Sequence, residues 1–276
     1  PIEIVKYMVR NTLGPLCRNK TPEEILSLRI ADIACGSGIF LEEAFQYLLN
    51  YCIDWYIENK PSYLIELSNG RKKLPLKDKK AILVNCIYGI DIDYHAVEVC
   101  KFSLLIKLIE DETAASVYDS CPILPDLSGN IKNGNSLIER DDIDSPSIDM
   151  LKRIKPFDWK NINGGNPFDV IVGNPPYVST EEIHKLETKE EFEIYKSKYQ
   201  SAHKQFDKYF LFLERALSKI NGNGKVCYIV PNKFYKIDAG KNLRRLLSDK
   251  IERLDDFGSE QLFPDKTIYS CIVSFS

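Results

Sequence analysis

Apolar positions along the chain follow two spacings, which predict strands alternating with helices. Short continuous apolar runs predict strands at 29–33, 86–90, 131–134, 168–172, 224–230, 252–257 and 268–275. Apolar residues spaced by three or four positions predict amphipathic helices at 2–12, from about 38, over 97–108, and at 205–220 and 238–249. About seven strands with helical crossovers predict an α/β fold with a doubly wound, mostly parallel sheet.

The order of elements changes near the end of the chain, where no helix separates strand 252–257 from strand 268–275. Two strands joined without a crossover form an antiparallel hairpin, so we expect the final strand to be antiparallel. Three polar segments, at 58–80, 111–130 and 140–166, interrupt the alternation. We expect all three to be surface insertions.

The composition is that of a folded globular protein with one large domain or two small ones. Of the 276 residues, 44% are hydrophobic and 28% charged, which excludes disorder as the main state. The chain has neither a signal peptide nor a run of roughly 18 apolar residues, so we expect no membrane span. It begins with Pro1 rather than Met, which favours an excised piece of a longer protein.

Cysteine and histidine usage argues against metal and triad chemistry. The eight cysteines are scattered singly, and no two have the spacing of a zinc site. We therefore expect reduced, structural thiols and a cytoplasmic location. The three histidines, His95, His184 and His203, are unclustered, which argues against a His-based metal centre or a Ser-His-Asp triad.

The charge balance does not by itself indicate a nucleic-acid partner. The chain carries 37 Lys and Arg against 40 Asp and Glu, a net charge of −3, whereas nucleic-acid-binding domains usually have a basic surplus. Any such contact would need a local face, or a segment absent from this chain. One local basic cluster could equally contact phosphates or solvate a helix; it consists of Lys233, Lys236, Lys241, Arg244 and Arg245.

The first candidate for chemistry is a glycine-rich turn. The string Asp-Ile-Ala-Cys-Gly-Ser-Gly-Ile-Phe-Leu, residues 32–41, ends a predicted strand and begins a helix. Glycines at 36 and 38 allow a ligand to approach the backbone, and the helix N-terminus offers free amides to a carboxylate. A Gly-x-Gly turn alone is weak evidence, but the whole string is much more specific.

Polar residues also follow the next two strands. Asp91, in Gly-Ile-Asp-Ile-Asp (89–93), ends its strand where a carboxylate can hold two ribose hydroxyls. We expect Asp93 instead to cap the following helix. The third string, Gly-Asn-Ser-Leu at 134–137, is a polar turn that could on its own be any β-turn.

The most specific signal follows the strand at 168–172, where the chain runs directly into Asn174, Pro175, Pro176 and Tyr177. Two prolines make the backbone rigid and remove two amide donors. Asn174 supplies a side-chain acceptor beside the Pro175 carbonyl, and Tyr177 supplies a flat stacking face. Two acceptors on a rigid frame suit an exocyclic NH2 group, although the same string could be only a rigid turn.

In this order, the four strings resemble the adenine-N6 DNA methyltransferases, especially the gamma class found in fused type IIG restriction–modification enzymes. The resemblance spans nearly the whole chain, because 1–9, 206–231 and 255–266 are similar to other motifs of that family. It implies a Rossmann-like, S-adenosylmethionine-dependent methyltransferase fold with a seven-stranded, mostly parallel sheet and an antiparallel last strand. It also implies one catalytic domain over 1–276, with a cofactor-motif helix at 1–12.

The resemblance implies S-adenosylmethionine as the methyl donor and no metal. The turn at 36–38 would hold the methionine end, Asp32 would order that turn or meet the ammonium, and Asp91 would bind the ribose. Ile92 and Phe212 would cover the adenine, and Asn135, where the family often has Asp, would bind its amino edge. The full implied set of cofactor-binding residues is Asp32, Ala34, Cys35, Gly36, Gly38, Asp91, Ile92, Asn135, Ser136 and Phe212.

For the target base, the resemblance implies an adenine flipped out of double-stranded DNA. Tyr177 would stack on it, Phe263 would contact its other side or edge, and Lys266 would lie near it. The catalytic residues would be Asn174, Pro175, Pro176 and Tyr177, with Cys35 a packing residue. The segment 178–205 carries six acidic residues and five lysines, and we expect a mobile loop near the DNA.

Two other functions stay open from the sequence. The Asn-Pro-Pro-Tyr string also suits a protein-glutamine N5 methyltransferase, and a catalytically silent cofactor-binding module is the alternative outside enzymes. A nuclease is not supported, because only 11 residues follow Pro264-Asp265. We expect that any nuclease and the target-recognition domain lie in segments or a subunit missing from this chain.

Overall fold

The computed structural model describes residues 1–113, 122–262 and 269–276. Its α-helices are α1 (Ile2–Cys17), α2 (Pro22–Ile25), α3 (Ile39–Asn59), α4 (Leu76–Cys86), α5 (Tyr94–Ile109), α6 (Ile148–Ile154), α7 (Thr180–Leu186), α8 (Lys189–Lys198), α9 (Lys208–Lys219) and α10 (Lys241–Leu247). Its strands are β1 (Ile30–Asp32), β2 (Ile65–Glu66), β3 (Lys72–Lys73), β4 (Ile87–Asp91), β5 (Ile131–Asn133), β6 (Phe168–Gly173), β7 (Ile220–Pro231), β8 (Ile251–Gln261) and β9 (Tyr269–Phe275).

Seven strands form one sheet in the order β5-β4-β1-β6-β7-β9-β8. Ile30 of β1 pairs in parallel with Ile87 of β4 on one side and with Val170 of β6 on the other. The last strand, β9, lies between β7 and β8 and is antiparallel to both. The predicted seven-stranded, mostly parallel sheet with an antiparallel last strand is therefore confirmed.

Apolar side chains cover both faces of the sheet, as expected for strands with helices on either side. Along β6, Val170 and Val172 join one buried cluster, which packs against α1, α3, α4 and α5. Phe168 and Ile171 join the second cluster, which includes the buried side of α9. From Val170 onward the strand pleat places alternate residues in the two cores, whereas a register shift between Phe168 and Val170 takes Phe168 out of this alternation. The strand ends are free to carry polar turns.

All three predicted surface insertions are partly buried, since Leu127 in the segment 111–130 also belongs to the first core, so that prediction was wrong. In the segment 58–80, the ammonium groups of buried Lys73 and Lys79 lie 2.6 and 2.9 Å from the Glu112 carboxylate. Lysine stems pack on apolar surface while their charged ends pair, and this makes a polar stretch compatible with burial. In the segment 140–166, Phe157 and Trp159 belong to the second core.

The segment 178–205, predicted as a loop, contains α7 and α8. Each helix begins with a capping box, formed by Ser179 with Glu182 and by Thr188 with Glu191. Such reciprocal bonds satisfy amide donors at a helix start. Tyr195 of α8 is 0% exposed, so the segment packs into the second core. Its mobility stays a prediction.

Within the three described ranges, no helix is both long and apolar enough to cross a membrane. The seven cysteines in those ranges are buried and unpaired, as expected of structural thiols. Cys121 lies outside them.

Candidate active site

The carboxyl ends of β1, β4, β5 and β6 meet at one edge of the sheet and border a cavity of about 230 Å³. Ligands of doubly wound folds bind at this edge. The cavity is lined by Ile33, Ala34, Asp91, Ile92, Gly134, Asn135, Ser136, Asn174, Pro176, Lys208 and Phe212. Eight of these residues were predicted from the sequence, whereas Ile33, Gly134 and Lys208 were not. Asp32, Cys35, Gly36, Gly38, Pro175 and Tyr177 do not line it.

Asp91 connects the end of β4 to the glycine-rich turn. Its Oδ2 accepts a hydrogen bond from the Gly36 amide at 2.8 Å, and its Oδ1 accepts one from the Asp93 amide at 2.9 Å. A carboxylate has about four acceptor positions, so each oxygen can accept another hydrogen bond from a ligand in the cavity. Asp93 accepts from the His95 amide at 2.8 Å and caps α5, as predicted.

The glycine-rich turn depends on Gly38. This residue has a φ of +94° and is the N-cap of α3, and a Cβ there would lie 2.5 Å from Cys100 Sγ. Only glycine combines that backbone conformation with such close packing. Cys35 is buried, and its contact with Cys100 together with burial raises the pKa of its thiol. It therefore stays a neutral packing group.

Asp32 is a buried acid beneath the site. It is 2% exposed, and its Oδ1 accepts from the Ala34 amide at 3.0 Å. Burial raises the pKa of Asp32 to about 7, and the nearby Asp91 carboxylate acts in the same direction. A Cβ at Gly173 would lie 2.6 Å from Asp32 Oδ1. The acid therefore packs directly under the residue that precedes Asn174.

The turn after β5 places one amide against the cavity. Asn135 is 4% exposed, and its Oδ1 accepts from the Leu137 amide at 3.1 Å. Its Nδ2 is buried and has no direct hydrogen-bond partner within the described ranges. Ser136 donates its hydroxyl hydrogen to the Ile33 carbonyl at 2.7 Å. This bond ties the end of β5 to the end of β1.

The turn after β6 presents the predicted catalytic residues. Asn174 and Pro176 are exposed, Pro175 is buried, and the half-buried Tyr177 ring packs edge-to-face on Tyr209 with centroids 6.0 Å apart. The Tyr177 hydroxyl lies 2.5 Å from Asn174 Oδ1 and 3.0 Å from the Ile229 carbonyl. Burial raises the pKa of Tyr177, so its hydroxyl keeps one proton for these two acceptors. The Asn174 oxygen is thus engaged in this conformation.

Lys208 is a residue of the cavity wall that sequence reasoning missed. It is the first residue of α9, and its ammonium pairs with the Glu187 carboxylate. An isolated lysine at a helix start resembles any surface lysine, and its acidic partner is 21 residues away. No sequence signal therefore distinguished it.

The predicted basic cluster is partly structural. Lys233 pairs with Asp207 at 2.9 Å, and Arg244 donates to the carbonyls of Phe234 and Ile237 at 2.8 and 2.7 Å. These contacts hold the turn before α10.

Phe263 and Lys266, predicted near the target base, lie outside the described residues. Nowhere in the described chain do three or more His, Cys, Asp or Glu side chains group as metal ligands.

The family model described as Eco57I restriction-modification methylase matches residues 85–263, which include the ends of β4, β5 and β6. This chain belongs to that family. Over 275 residues it is 48% identical to the type II restriction enzyme and methyltransferase RM.Eco57I of Escherichia coli. That match covers 99% of this chain and 27% of the relative, so the chain spans about a quarter of the relative's length.

Solved structures agree on the fold. A Listeria monocytogenes protein described as a class I S-adenosylmethionine-dependent methyltransferase superposes with a TM-score of 0.53 at 12% identity, covering 99% of this chain and 58% of its own. A nuclease-deletion mutant of the type ISP restriction–modification enzyme LlaGI, in complex with a DNA substrate mimic, superposes with a TM-score of 0.67 at 14% identity. That match covers 100% of this chain and 22% of the LlaGI chain. The fold is that of S-adenosylmethionine-dependent methyltransferases, as predicted.

Proposed function

We propose that this chain transfers a methyl group from S-adenosylmethionine to the N6 amino group of adenine in DNA, as part of bacterial restriction–modification. The observation that carries the proposal is that Asn174 and Pro176 border the same cavity as Asp91 and Asn135. The site for the methyl donor and the site for the NH2 group that accepts the methyl then border one cavity. Membership of the restriction–modification methylase family supports the DNA substrate.

The side chains of the cavity fit S-adenosylmethionine. Asp91 has acceptor capacity left for the ribose hydroxyls, and Asn135 Oδ1 has capacity left for the adenine amino group. Ile92 is 43% exposed, and it lines the cavity together with Phe212, so the two can cover the adenine faces. The turn at 36–38 would hold the methionine end, with Asp32 ordering it. When bound, the cofactor supplies an electrophilic methyl group on sulfur.

The target amino group needs orientation because its lone pair is delocalised into the ring. A flipped adenine can donate one hydrogen to Asn174 Oδ1 and the other to the Pro175 carbonyl. These bonds expose the lone pair to in-line attack, in which the N–C bond forms as the S–C bond breaks, S-adenosylhomocysteine leaves, and the amino nitrogen gives one proton to solvent. The rate gain then comes from positioning and electrostatics. The Tyr177 hydroxyl must release or share Asn174 Oδ1 in this step. Tyr177, Phe263 and Lys266 would surround the base.

We assign selection of the DNA sequence to parts of the protein other than this chain. The relative RM.Eco57I is named as both a restriction enzyme and a methyltransferase, and this chain covers 27% of it. We place the nuclease and target-recognition functions in such other parts, with double-stranded DNA as the partner and the cytoplasm as the location. The segment 178–205, directly after the Asn174 turn, would lie near the DNA and move when it binds.

The test is to identify the methylated product. The full-length protein containing this chain is incubated with methyl-labelled S-adenosylmethionine and mixed-sequence DNA, and the DNA is digested to nucleosides. The proposal predicts label in N6-methyladenine, lost in Asn174→Ala and retained in Asn59→Ala, a matched change of an exposed asparagine at the end of α3. Label in a methylcytosine would contradict adenine specificity.

The same experiment separates the alternatives. If the DNA stays unlabelled while an added protein acceptor gains label on a glutamine side chain, the DNA assignment is wrong. If the cofactor binds and neither acceptor gains label, the chain is a silent cofactor-binding module.

A further inference from the structure

Three buried polar atoms beside the cavity have no direct hydrogen-bond partner among the residues that the structure describes. They are Asn135 Nδ2, the Tyr195 hydroxyl and Glu187 Oε2. Buried polar groups are nearly always paired, so each exception needs a physical explanation. Asn135 lines the cavity, and Tyr195 belongs to the second core.

The three atoms belong to elements that are distant in sequence but meet in space. Asn135 follows β5, Glu187 joins α7 to α8, and Tyr195 lies within α8. The side chains of Asn135 and Glu187 both lie near the Tyr195 hydroxyl. Burial and the Glu187 carboxylate raise the pKa of Tyr195 well above its ordinary value, so the hydroxyl keeps its proton.

Their donors and acceptors are complementary. The Asn135 amide nitrogen can donate to the tyrosine oxygen, and the tyrosine hydroxyl can donate to Glu187 Oε2. The other Glu187 oxygen pairs with Lys208, whose ammonium also lies 5.6 Å from the Tyr195 ring centroid. Lys208 lines the cavity. The donors and acceptors of these side chains can therefore form one hydrogen-bonded chain from Asn135 through Tyr195 and Glu187 to Lys208.

We propose that Tyr195, supported by Glu187, is a positioning residue that holds the Asn135 amide with its oxygen towards the 6-amino group of the cofactor adenine. This inference rests on the proposed use of S-adenosylmethionine. An amide has two unlike ends, and a reversed amide would present N–H groups to an amino group. The Leu137 amide bonded to Oδ1 orients one end of the amide, and Tyr195 orients the other. Tyr195 thereby sets the preference for adenine over a 6-oxo purine.

The experiment measures binding rather than turnover. Dissociation constants of S-adenosylhomocysteine and its 6-oxo analogue S-inosylhomocysteine are determined by calorimetry on the full-length protein. The unsubstituted protein should prefer the adenosyl ligand, and Tyr195→Phe should reduce that preference about tenfold, or about 1.4 kcal/mol. Tyr88→Phe is the matched control, since Tyr88 is a buried tyrosine of β4 that does not line the cavity, and the preference should not change.

Repeating the Tyr195→Phe measurement in a protein that already carries Asn135→Asp separates orientation of the amide from general damage to the fold. In Asn135→Asp the side chain has two equivalent oxygens, so its orientation no longer matters, and adding Tyr195→Phe should leave the preference unchanged. Glu187→Gln, which removes the charge from the other end of the cluster, should reduce the preference by a smaller factor than Tyr195→Phe. Thermal melts check that each variant is folded.

The outcomes distinguish this inference from the function on which it rests. If the unsubstituted protein binds neither ligand, the proposed cofactor is wrong and the inference fails with it. If it prefers the adenosyl ligand, and folded Tyr195→Phe and Glu187→Gln proteins keep the same preference, only the positioning role is overturned. An equal reduction by Tyr195→Phe in the asparagine and aspartate backgrounds would also overturn it, because the effect would then be structural.

Discussion

Two asparagines border the cavity, one after β5 and one after β6, and their surroundings differ. Asn135 is 4% exposed, with its oxygen bonded to a backbone amide and its nitrogen without a direct partner in the described ranges. Asn174 is exposed, and its oxygen is engaged by the Tyr177 hydroxyl, a side-chain group that can move away. One amide is built into the wall of the cavity, whereas the other is held by an exchangeable contact.

The difference fits two kinds of recognition. A cofactor that binds in the same way in every cycle is suited to a buried amide with a fixed orientation, because a buried polar group is costly to leave unpaired. A base that enters from a duplex and leaves again is suited to an exposed amide whose partner can be displaced. We infer that the turn after β5 serves the methyl donor and that the turn after β6 serves the acceptor.

The largest expected effect is that of removing the acceptor amide. Asn174→Ala should lower the single-turnover rate of methyl transfer at least about a thousand-fold, because groups that stabilise the reacting atoms contribute on this scale. The dissociation constant of the cofactor should stay within about twofold, since Asn174 lies at the acceptor side of the cavity. Rapid-quench transfer and calorimetry measure the two quantities. A weaker cofactor affinity with an unchanged rate would reverse the assignment.

The buried acid Asp32 supports the acceptor side of the cavity, since it accepts a hydrogen bond from the Ala34 amide and packs under Gly173, the residue before Asn174. Burial raises the pKa of Asp32 from 3.8 to about 7. At pH values between these two, the folded protein keeps a proton on Asp32 that the unfolded chain releases. The free energy of unfolding should therefore fall between pH 4 and pH 7, by up to about 4 kcal/mol. Asp32→Asn should remove this part of the fall. Urea unfolding at several pH values measures the free energy of unfolding of both proteins. The same pH dependence in the unsubstituted protein and in Asp32→Asn would contradict this role of Asp32.

A smaller effect is expected from Tyr177→Phe, which keeps the ring and removes the hydroxyl near Asn174 and the Ile229 carbonyl. Before the base enters, that contact holds the Asn174 amide in one orientation, so its loss should lower the transfer rate about fivefold, corresponding to about 1 kcal/mol from one hydrogen bond. Stacking on the base should be retained, so Tyr177→Ala should be more damaging. Equal losses in the two variants would mean that the hydroxyl, not the ring, is what matters.

The fold was largely predictable because it depends on local patterns. Apolar runs located the strands of the main sheet, and the missing crossover before β9 predicted its antiparallel direction. The helical character of 178–205 was not predicted, because its two capping boxes lie within a stretch of mixed charge. The burial of Lys73 was also missed, since its partner Glu112 is 39 residues away in the chain.

The site was predictable only where its residues follow strand ends in recognisable strings. Asp91 and Asn174 were predicted in this way as candidate site residues, and the structure brings both to one cavity. Lys208, Glu187 and Tyr195 come from other elements and meet only after folding. The contact of the Tyr177 hydroxyl with Asn174 was likewise invisible, because the string specifies which residues are present and not which hydrogen bonds they form.

The most direct test of the division between the two asparagines compares Asn135→Ala with Asn174→Ala. The dissociation constant of the cofactor and the single-turnover rate of methyl transfer are measured on both variants. The account predicts opposite effects of the two substitutions on these two quantities. Asn135→Ala should weaken cofactor binding about tenfold while the transfer rate at saturating cofactor changes little, and Asn174→Ala should do the opposite. If both substitutions lower the same quantity by similar factors, the two amides do not divide donor and acceptor recognition, and the account is wrong.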